Sequence, residues 1–258
     1  MKELPSMVTP FAKILVFFVL LAVGVHGSYA QTNPGIPRTA HSQLKCTVVN
    51  HSAYSLGYSE AHEQACWVQH RLTRAQLGGV RFERTDDFRA DPLVPSGSAS
   101  PTAYKGSGYD RGHLAPAADF AWSATAMSES FFMSNMSPQV PALNRGIWAR
   151  LEDAVRDWAR EADTLWVISG PVLEPNLPEL PSGVAIPRAF WKVVYDPTPV
   201  PTYAAFLMPQ AGYSGSYWDF AVSVDAIEAR SGIDLFHGLP DEVEDALERS
   251  VARSNSWQ

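Results

Sequence analysis

Cysteine is nearly absent from these 258 residues, which hold only Cys46 and Cys66. Two cysteines exclude a disulfide-dense framework. With no C-x-x-C and no clustered histidines beside either one, they also exclude a structural zinc site. No G-x-S-x-G occurs, which disfavours a serine hydrolase built on a nucleophile elbow. There is no internal repeat, no linker long enough to divide domains, and no second apolar run that could span a bilayer. A basic surplus is missing too: 20 Lys and Arg stand against 27 Asp and Glu, a formal charge of −7, so bulk positive charge cannot be what this chain works with.

What is present fits a well-packed globular chain, with 46% hydrophobic and 18% charged residues. The one long apolar run, Ile14 to Val25, follows Lys2 and Lys13 and leads to Ser28 and Ala30, small residues at the positions a signal peptidase reads. Residues 1–30 are therefore expected to be a signal peptide, and residues 31–258 a single domain. An uncleaved anchor is the other reading, but the run is short of the roughly 20 residues a bilayer needs. Export would put Cys46 and Cys66 in an oxidising compartment, where one pairing is possible. Closing a loop of that length stabilises by about 3 kcal/mol in the chain-entropy account; two buried free thiols are the alternative.

Residues 31–45 are polar and carry Pro and Gly, and are expected to form a loose lead. Ala65 to Leu72 reads as a strand, and Asp91 to Gly108 as a Ser/Gly/Pro-rich loop. From Ala142 to Ala162, Leu143, Ile147, Leu151, Val155 and Trp158 recur at helical steps. "TLWVISG", "RAFWKVVYD" and "TYAAFLMP" read as strands parted by prolines, and "VSVDAIEARSG" and "DEVEDALERSVA" as closing helices. Strand blocks mixed with helices, without steady βα alternation, indicate α+β.

Two stretches carry chemistry. In "GYDRGHLAPAADF", residues 108–120, His113 lies two residues from Arg111. A partly exposed histidine near its unperturbed pKa takes a proton from water, and a guanidinium fork matches phosphate oxygens. Phosphoryl chemistry is one reading; a structural histidine held in a turn by Asp110 is the other. The second stretch, "SNMSPQVPALNRGIWARLEDAVR", holds Asn135, Asn144, Glu152 and Arg156. On one helix Glu152 and Arg156 stand a turn apart on one face. Asn144 would lie about 12 Å of axial rise before Glu152 and roughly 80° round. The lean of helical side chains toward the N-terminus still allows a shared site. An amide oxygen is a hard ligand acceptable to Mg²⁺. An i, i+4 surface ion pair with a capping asparagine is the plainer alternative.

Taken jointly, "DRGHLAPAADF", "FFMSNMSPQ" and "LNRGIWARLED" resemble, in order and spacing, the signature of the DNA/RNA non-specific endonucleases of the ββα-metal type, particularly secreted bacterial members. "IPRAFWKVVYD", "YAAFLMPQ" and "VSVDAIEARSGIDLFHGLPD" look like later segments of that family. The resemblance implies a mostly antiparallel central sheet flanked by helices. It implies His113 as general base, Asn144 as the one direct protein ligand of Mg²⁺, and Glu152 holding a metal-bound water. Asn135, Arg111 and Arg156 match further active-site positions. The family's remaining arginine falls in "FERTDDFRADP" as Arg84, with Arg89 as the alternative.

On this reading a hydrated Mg²⁺, replaceable by Mn²⁺, neutralises the leaving 3′ oxygen while His113 deprotonates the attacking water and Arg84 and Arg156 stabilise the transition state. Nothing in the set reads a base or a 2′-hydroxyl. DNA and RNA are both expected substrates, held by the phosphate backbone and cut to 5′-phosphate products. The expected location is secreted or periplasmic, with no membrane attachment after signal cleavage; nothing in the sequence sets the oligomeric state. The acidic charge is uneven: residues 213–258 carry nine acidic and three basic side chains, whereas residues 71–89 hold five arginines. Two other functions fit parts of the pattern. A binding or uptake protein without catalysis has no need of His113 and Asn144 together, and plasmid nicking separates a nuclease from another Mg-dependent phosphoesterase.

Overall fold

The structure is a computed structural model that describes residues 33–40, 44–198, 200–252 and 257. The expected signal peptide, residues 1–30, lies outside the described residues. A six-stranded antiparallel sheet forms the centre, built from β2 (Thr47–Asn50), β3 (Tyr54–Ser59), β4 (Gln64–Thr73), β7 (Thr164–Pro171), β8 (Ala189–Asp196) and β9 (Thr202–Pro209), in that order. The two two-stranded ladders pair β5 (Asp110–His113) with β6 (Met136–Gln139), and β1 (Arg38–Thr39) with β10 (Ile233–Asp234). The helices are α1 (Arg74–Gly78), α2 (Ala124–Glu129), α3 (Ala149–Glu161), α4 (Val224–Ser231) and α5 (Asp241–Glu248). The α+β reading holds, and so does the mostly antiparallel sheet.

Alternation along the strands explains why both faces of the sheet are covered. Val68 and Leu72 of β4, with Phe190 and Val194 of β8, enter a core shared with Leu143, Ile147, Leu151 and Val155. Those four residues are at most 2% exposed. Each contributes about 1.5–3 kcal/mol by leaving water. Trp67 of β4 and Trp191 of β8 point the other way, into a second core with Ile227 of α4 and Leu247 of α5. Cys46 and Cys66 are joined by a disulfide that ties the segment before β2 to β4, with Cα atoms 6.4 Å apart. Ser223 caps α4, and Gly232 ends it in the left-handed region at φ 68°.

Three expectations need correction. The helix expected from Ala142 to Ala162 is broken: a π-helical segment, Leu143–Trp148, precedes α3, and Gly146 inside it leaves the helical region at φ −107° and ψ −113°. The apolar steps persist through the break, which is why periodicity alone did not reveal it. The last helix ends at Glu248, short of the expected Ala252. Part of the lead is docked rather than loose. Pro34 and Pro37 are buried, and Arg38–Thr39 pairs with Ile233–Asp234.

Candidate active site

The β5 and β6 ladder lies outside the main sheet and presents the DRGH motif as a strand. His113 pairs with Met136, and Gly112 with Ser137. A Cβ at position 112 would come within 2.2 Å of Gln139 Oε1, so any larger residue there must displace that buried side chain. Asn135 closes the back of the ladder. Its Oδ1 accepts from Ala115 N at 2.9 Å, and its Nδ2 donates to the carbonyls of Ala115 and Ser130, both at 2.9 Å. Its carbonyl also accepts from Leu114 N at 3.0 Å. The buried amide thus fixes the chain just after His113.

The His113 ring is half-buried and meets Phe131 and Phe88 edge-on, at centroid distances of 5.0 and 5.8 Å. Arg84 lies over Phe131 at 4.7 Å and Arg111 over Phe88 at 3.9 Å, so the two rings that hold the imidazole also carry the two guanidiniums. Nε2 of His113 is buried without a hydrogen-bond partner. Burial first, then the charges of Arg84 and Arg111, push the imidazole down to about 3, well below the value near 6.5 expected from sequence. The ring is neutral across the physiological range. Arg89 is engaged elsewhere, donating to Asp87 and to the Ser128 carbonyl while lying 4.1 Å over Phe132. Among the described residues Arg84 forms an ion pair with exposed Asp86 and stays half-exposed.

Asp110 does not hold His113, contrary to the structural alternative. It bridges instead to the second constellation, with Oδ2 accepting from Asn144 Nδ2 at 2.9 Å and Arg145 Nε at 2.8 Å. Burial alone would raise the Asp110 carboxyl, but the bonds from Arg145 and Asn144 outweigh it and hold the group below the usual carboxylate range. One four-residue strand therefore carries the histidine at one end and anchors Asn144 at the other, roughly 10 Å apart at 3.3 Å per residue. Sequence reasoning missed this use of Asp110, although the residue stands within the motif. It also missed Lys105 and Tyr109, which line a cavity of about 390 Å³ beside Asp110 and Arg111.

Because Gly146 breaks the helix, the separation of Asn144 and Glu152 worked out for a continuous helix does not apply. Glu152 lies in the first turn of α3, partly exposed, and burial pushes its carboxyl above the usual range. The i, i+4 ion pair with Arg156 that the plainer alternative required does not form. Arg156 Nη1 binds Asp119 Oδ1 at 2.9 Å and Nη2 binds Asp153. Asp119 also receives His70 Nε2 at 2.9 Å, and these bonds overcome its burial to keep the carboxyl low. The donors fit a hard divalent ion: Asn144 spends its amide nitrogen on Asp110, which leaves its oxygen as the acceptor end, and Glu152 stands nearby in sequence as the acidic partner. The one group of three carboxylates among the described residues, Asp225, Glu228 and Glu248, lies elsewhere, on α4 and α5.

Comparisons with known proteins give the family and the fold. The DNA/RNA non-specific endonuclease profile matches residues 32–242. A nuclease of Serratia marcescens is 35% identical over 226 residues, covering 83% of this chain and 82% of that one. A nuclease of a Nostoc species is 33% identical over 211 residues, covering 77% and 76%. Among solved structures, a chain of the EndoG/EndoGI complex, described as showing the mechanism of EndoG inhibition, superposes with a TM-score of 0.71 at 27% identity, covering 81% of this chain and 90% of that one. A ladder that presents a neutral histidine between two arginines, with an anchored asparagine beyond it, thus sits on a nuclease fold, and the chain belongs to the DNA/RNA non-specific endonuclease family of metal-dependent nucleases.

Proposed function

We propose that the chain is a Mg²⁺-dependent, sugar-non-specific endonuclease that cuts DNA and RNA to 5′-phosphate products, with Mn²⁺ able to replace Mg²⁺. The observation that carries this reading is His113 held neutral between Arg84 and Arg111 on the strand that anchors Asn144. Arg84 and Arg111 take the phosphate oxygens of the substrate, and their charges then meet the negative charge that builds in the transition state. The phosphate in turn offsets the two charges that depress His113, so the imidazole becomes a better base as substrate binds. With Nε2 buried, Nδ1 accepts the proton of the attacking water. Asn135 fixes the position of that ring by holding the chain behind it.

Asn144 would hold the metal directly, and Glu152 would hold a water on it. When bound, such an ion neutralises charge on the leaving oxygen and lowers the pKa of its waters. Arg156 adds its charge from behind, fixed by Asp119 and Asp153. The side chains around His113 address phosphate rather than base edges, which supports action on both DNA and RNA. The Cys46–Cys66 bond and the apolar run at residues 14–25 support a secreted or periplasmic enzyme.

Purified protein on plasmid DNA and on RNA, with and without chelator, tests the reading. Both substrates are expected to be cut, EDTA to abolish cutting, and added Mg²⁺ or Mn²⁺ to restore it. Undiminished cutting in excess EDTA, or none of either nucleic acid with metal present, overturns it.

A further inference from the structure

The three carboxylates between α4 and α5 have no part in the chemistry above. Asp225 lies in the first turn of α4 and Glu228 three residues on, so both project from one side of that helix. Glu248 is the last residue of α5 and reaches the same spot from the other helix. One oxygen from each residue lies within 4.8 Å of the other two. The packing around them fixes this meeting point. Ile227 and Leu247, the chain neighbours of Glu228 and Glu248, are anchored in the second core. The hydroxyl of buried Tyr203 donates to the Ser250 carbonyl, just past the end of α5.

A second observation concerns Glu248 alone. The residue is only 8% exposed, yet its buried Oε1 has no hydrogen-bond partner. A carboxylate oxygen cut off from water without a donor is costly, and two further carboxylates this close add repulsion. Nearby basic side chains do not relieve it. Arg230 pairs with Glu174 and Arg249 with Asp245, and among the described residues none of the three carboxylates has an ion-pair partner. Glu228 accepts one hydrogen bond, from the Leu235 N–H to Oε1 at 2.8 Å, which fixes its side chain and leaves the second oxygen to the cluster. A cation between the three would satisfy what the protein itself does not.

We propose that Asp225, Glu228 and Glu248 hold a structural calcium ion that clamps α5 to α4, on the face of the sheet opposite α3. Oxygens that bind calcium lie about 2.3–2.6 Å from it, so ligands around one ion stand at most about 5 Å apart, and the three carboxylates meet that limit. An all-carboxylate set disfavours zinc, which takes nitrogen and sulfur. Magnesium demands near-ideal octahedral geometry and gives up water reluctantly, whereas calcium accepts an irregular set from two helices and completes it with water or carbonyl oxygens. The ion is separate from that of the cleft and does not depend on the nuclease chemistry. With three protein carboxylates and one of them exposed, its dissociation constant should be on the order of 10⁻⁴–10⁻³ M, the range of extracellular calcium modules.

Melting curves of the full chain test this, recorded near neutral pH in chelator and in about 10 mM calcium chloride, beside Glu248→Gln and Asp225→Asn. Calcium should raise the wild-type Tm by roughly 3–8 °C, the gain from a ligand present at about 10 to 100 times its dissociation constant. Both variants should gain less than a third of that. Calcium bound at the cleft would act on all three proteins alike, so it cancels in the comparison. In chelator the variants should melt no lower than wild type, because each removes a negative charge from the cluster. Magnesium at the same concentration should give less than half the calcium gain. Amide exchange in residues 241–248 should slow with calcium in wild type alone. Circular dichroism establishes folding, and Glu228→Gln takes the place of a variant that does not fold. No calcium gain in wild type, the same gain in the variants, an equal gain with magnesium, or unchanged exchange in α5 overturns the inference.

Discussion

The two faces of the central sheet bury charge in opposite ways. Beneath the cleft, Lys192 and Arg156 are set against Glu152 and Asp119, and His70 completes the Asp119 pair. On the far face, Asp225 and Glu228 of α4 meet Glu248 of α5, their carboxylates within 4.8 Å of one another. The groups acting most strongly on Glu248, after burial, are four further carboxylates. One cluster is balanced and locked by bonds to defined partners; the other is held by packing against its own repulsion. The mixed cluster keeps Arg156, Asp119 and His70 bonded to one another, and residues 213–258, which include the acidic face, carry nine acidic and three basic side chains.

The largest expected effect breaks the cleft itself. His113→Ala should lower plasmid cleavage by roughly 10²–10⁴, the usual contribution of a general base. Rates on supercoiled DNA at matched metal concentration check this; a loss below tenfold contradicts the assignment.

Next comes the disulfide, which supports the far face. Replacing both Cys46 and Cys66 by serine should remove about 3 kcal/mol of stability, read as a fall in the denaturant midpoint. Intact mass without reductant should show two hydrogens missing from the wild-type chain. If both thiols alkylate in the folded, unreduced protein, the bond is absent.

Asp110→Ala frees Asn144 and Arg145 without touching the histidine ring. Apparent metal affinity should fall by about 10–100-fold, the range for losing a residue that orients a ligand. An unchanged half-saturating Mg²⁺ concentration would show that Asp110 does not orient the site.

Smallest is the effect at the acidic face. Burial and neighbouring carboxylates raise Glu228 to about 7 and Glu248 to about 8. A folded-state value above the unfolded one means that the folded chain holds protons the unfolded chain releases. The stability this confers is complete below about pH 4.3, the unfolded glutamate value, and is lost as pH rises through 7 to 8. Glu248→Gln should therefore raise Tm near pH 9 and change it little near pH 4. A gain of equal size at both pH values would break the comparison between the two faces.

Much of the fold was legible because its signals are local. Strands β4, β7, β8 and β9 announce themselves by β-branched and aromatic residues between prolines, and α4 by Asp225 in its first turn and Gly232 past its end. β5 was not legible as a strand, because Asp-Arg-Gly-His has no apolar alternation and pairs only with β6. The break at Gly146 stayed hidden because Leu143 and Ile147 remain buried on either side of it. At the site, residue types in order along the chain singled out His113, Asn144 and Glu152 as candidates. Which partner each charged group takes was not readable: Asp110 goes to Asn144 rather than His113, and Arg156 to Asp119 rather than Glu152. Those choices depend on contacts between residues 34 and 37 apart in sequence, which no spacing rule encodes.

The central claim is that one strand separates a proton acceptor at His113 from a metal-holding amide at Asn144. Titrating Mg²⁺ or Mn²⁺ against His113→Ala and Asn144→Ala on supercoiled plasmid tests it most directly. Metal in the millimolar range should recover part of the Asn144→Ala rate, since on the proposed mechanism Glu152 would still hold a water of the metal, and should recover none for His113→Ala, which should respond only to rising pH. Rescue of His113→Ala by metal, with Asn144→Ala indifferent to it, would contradict the account.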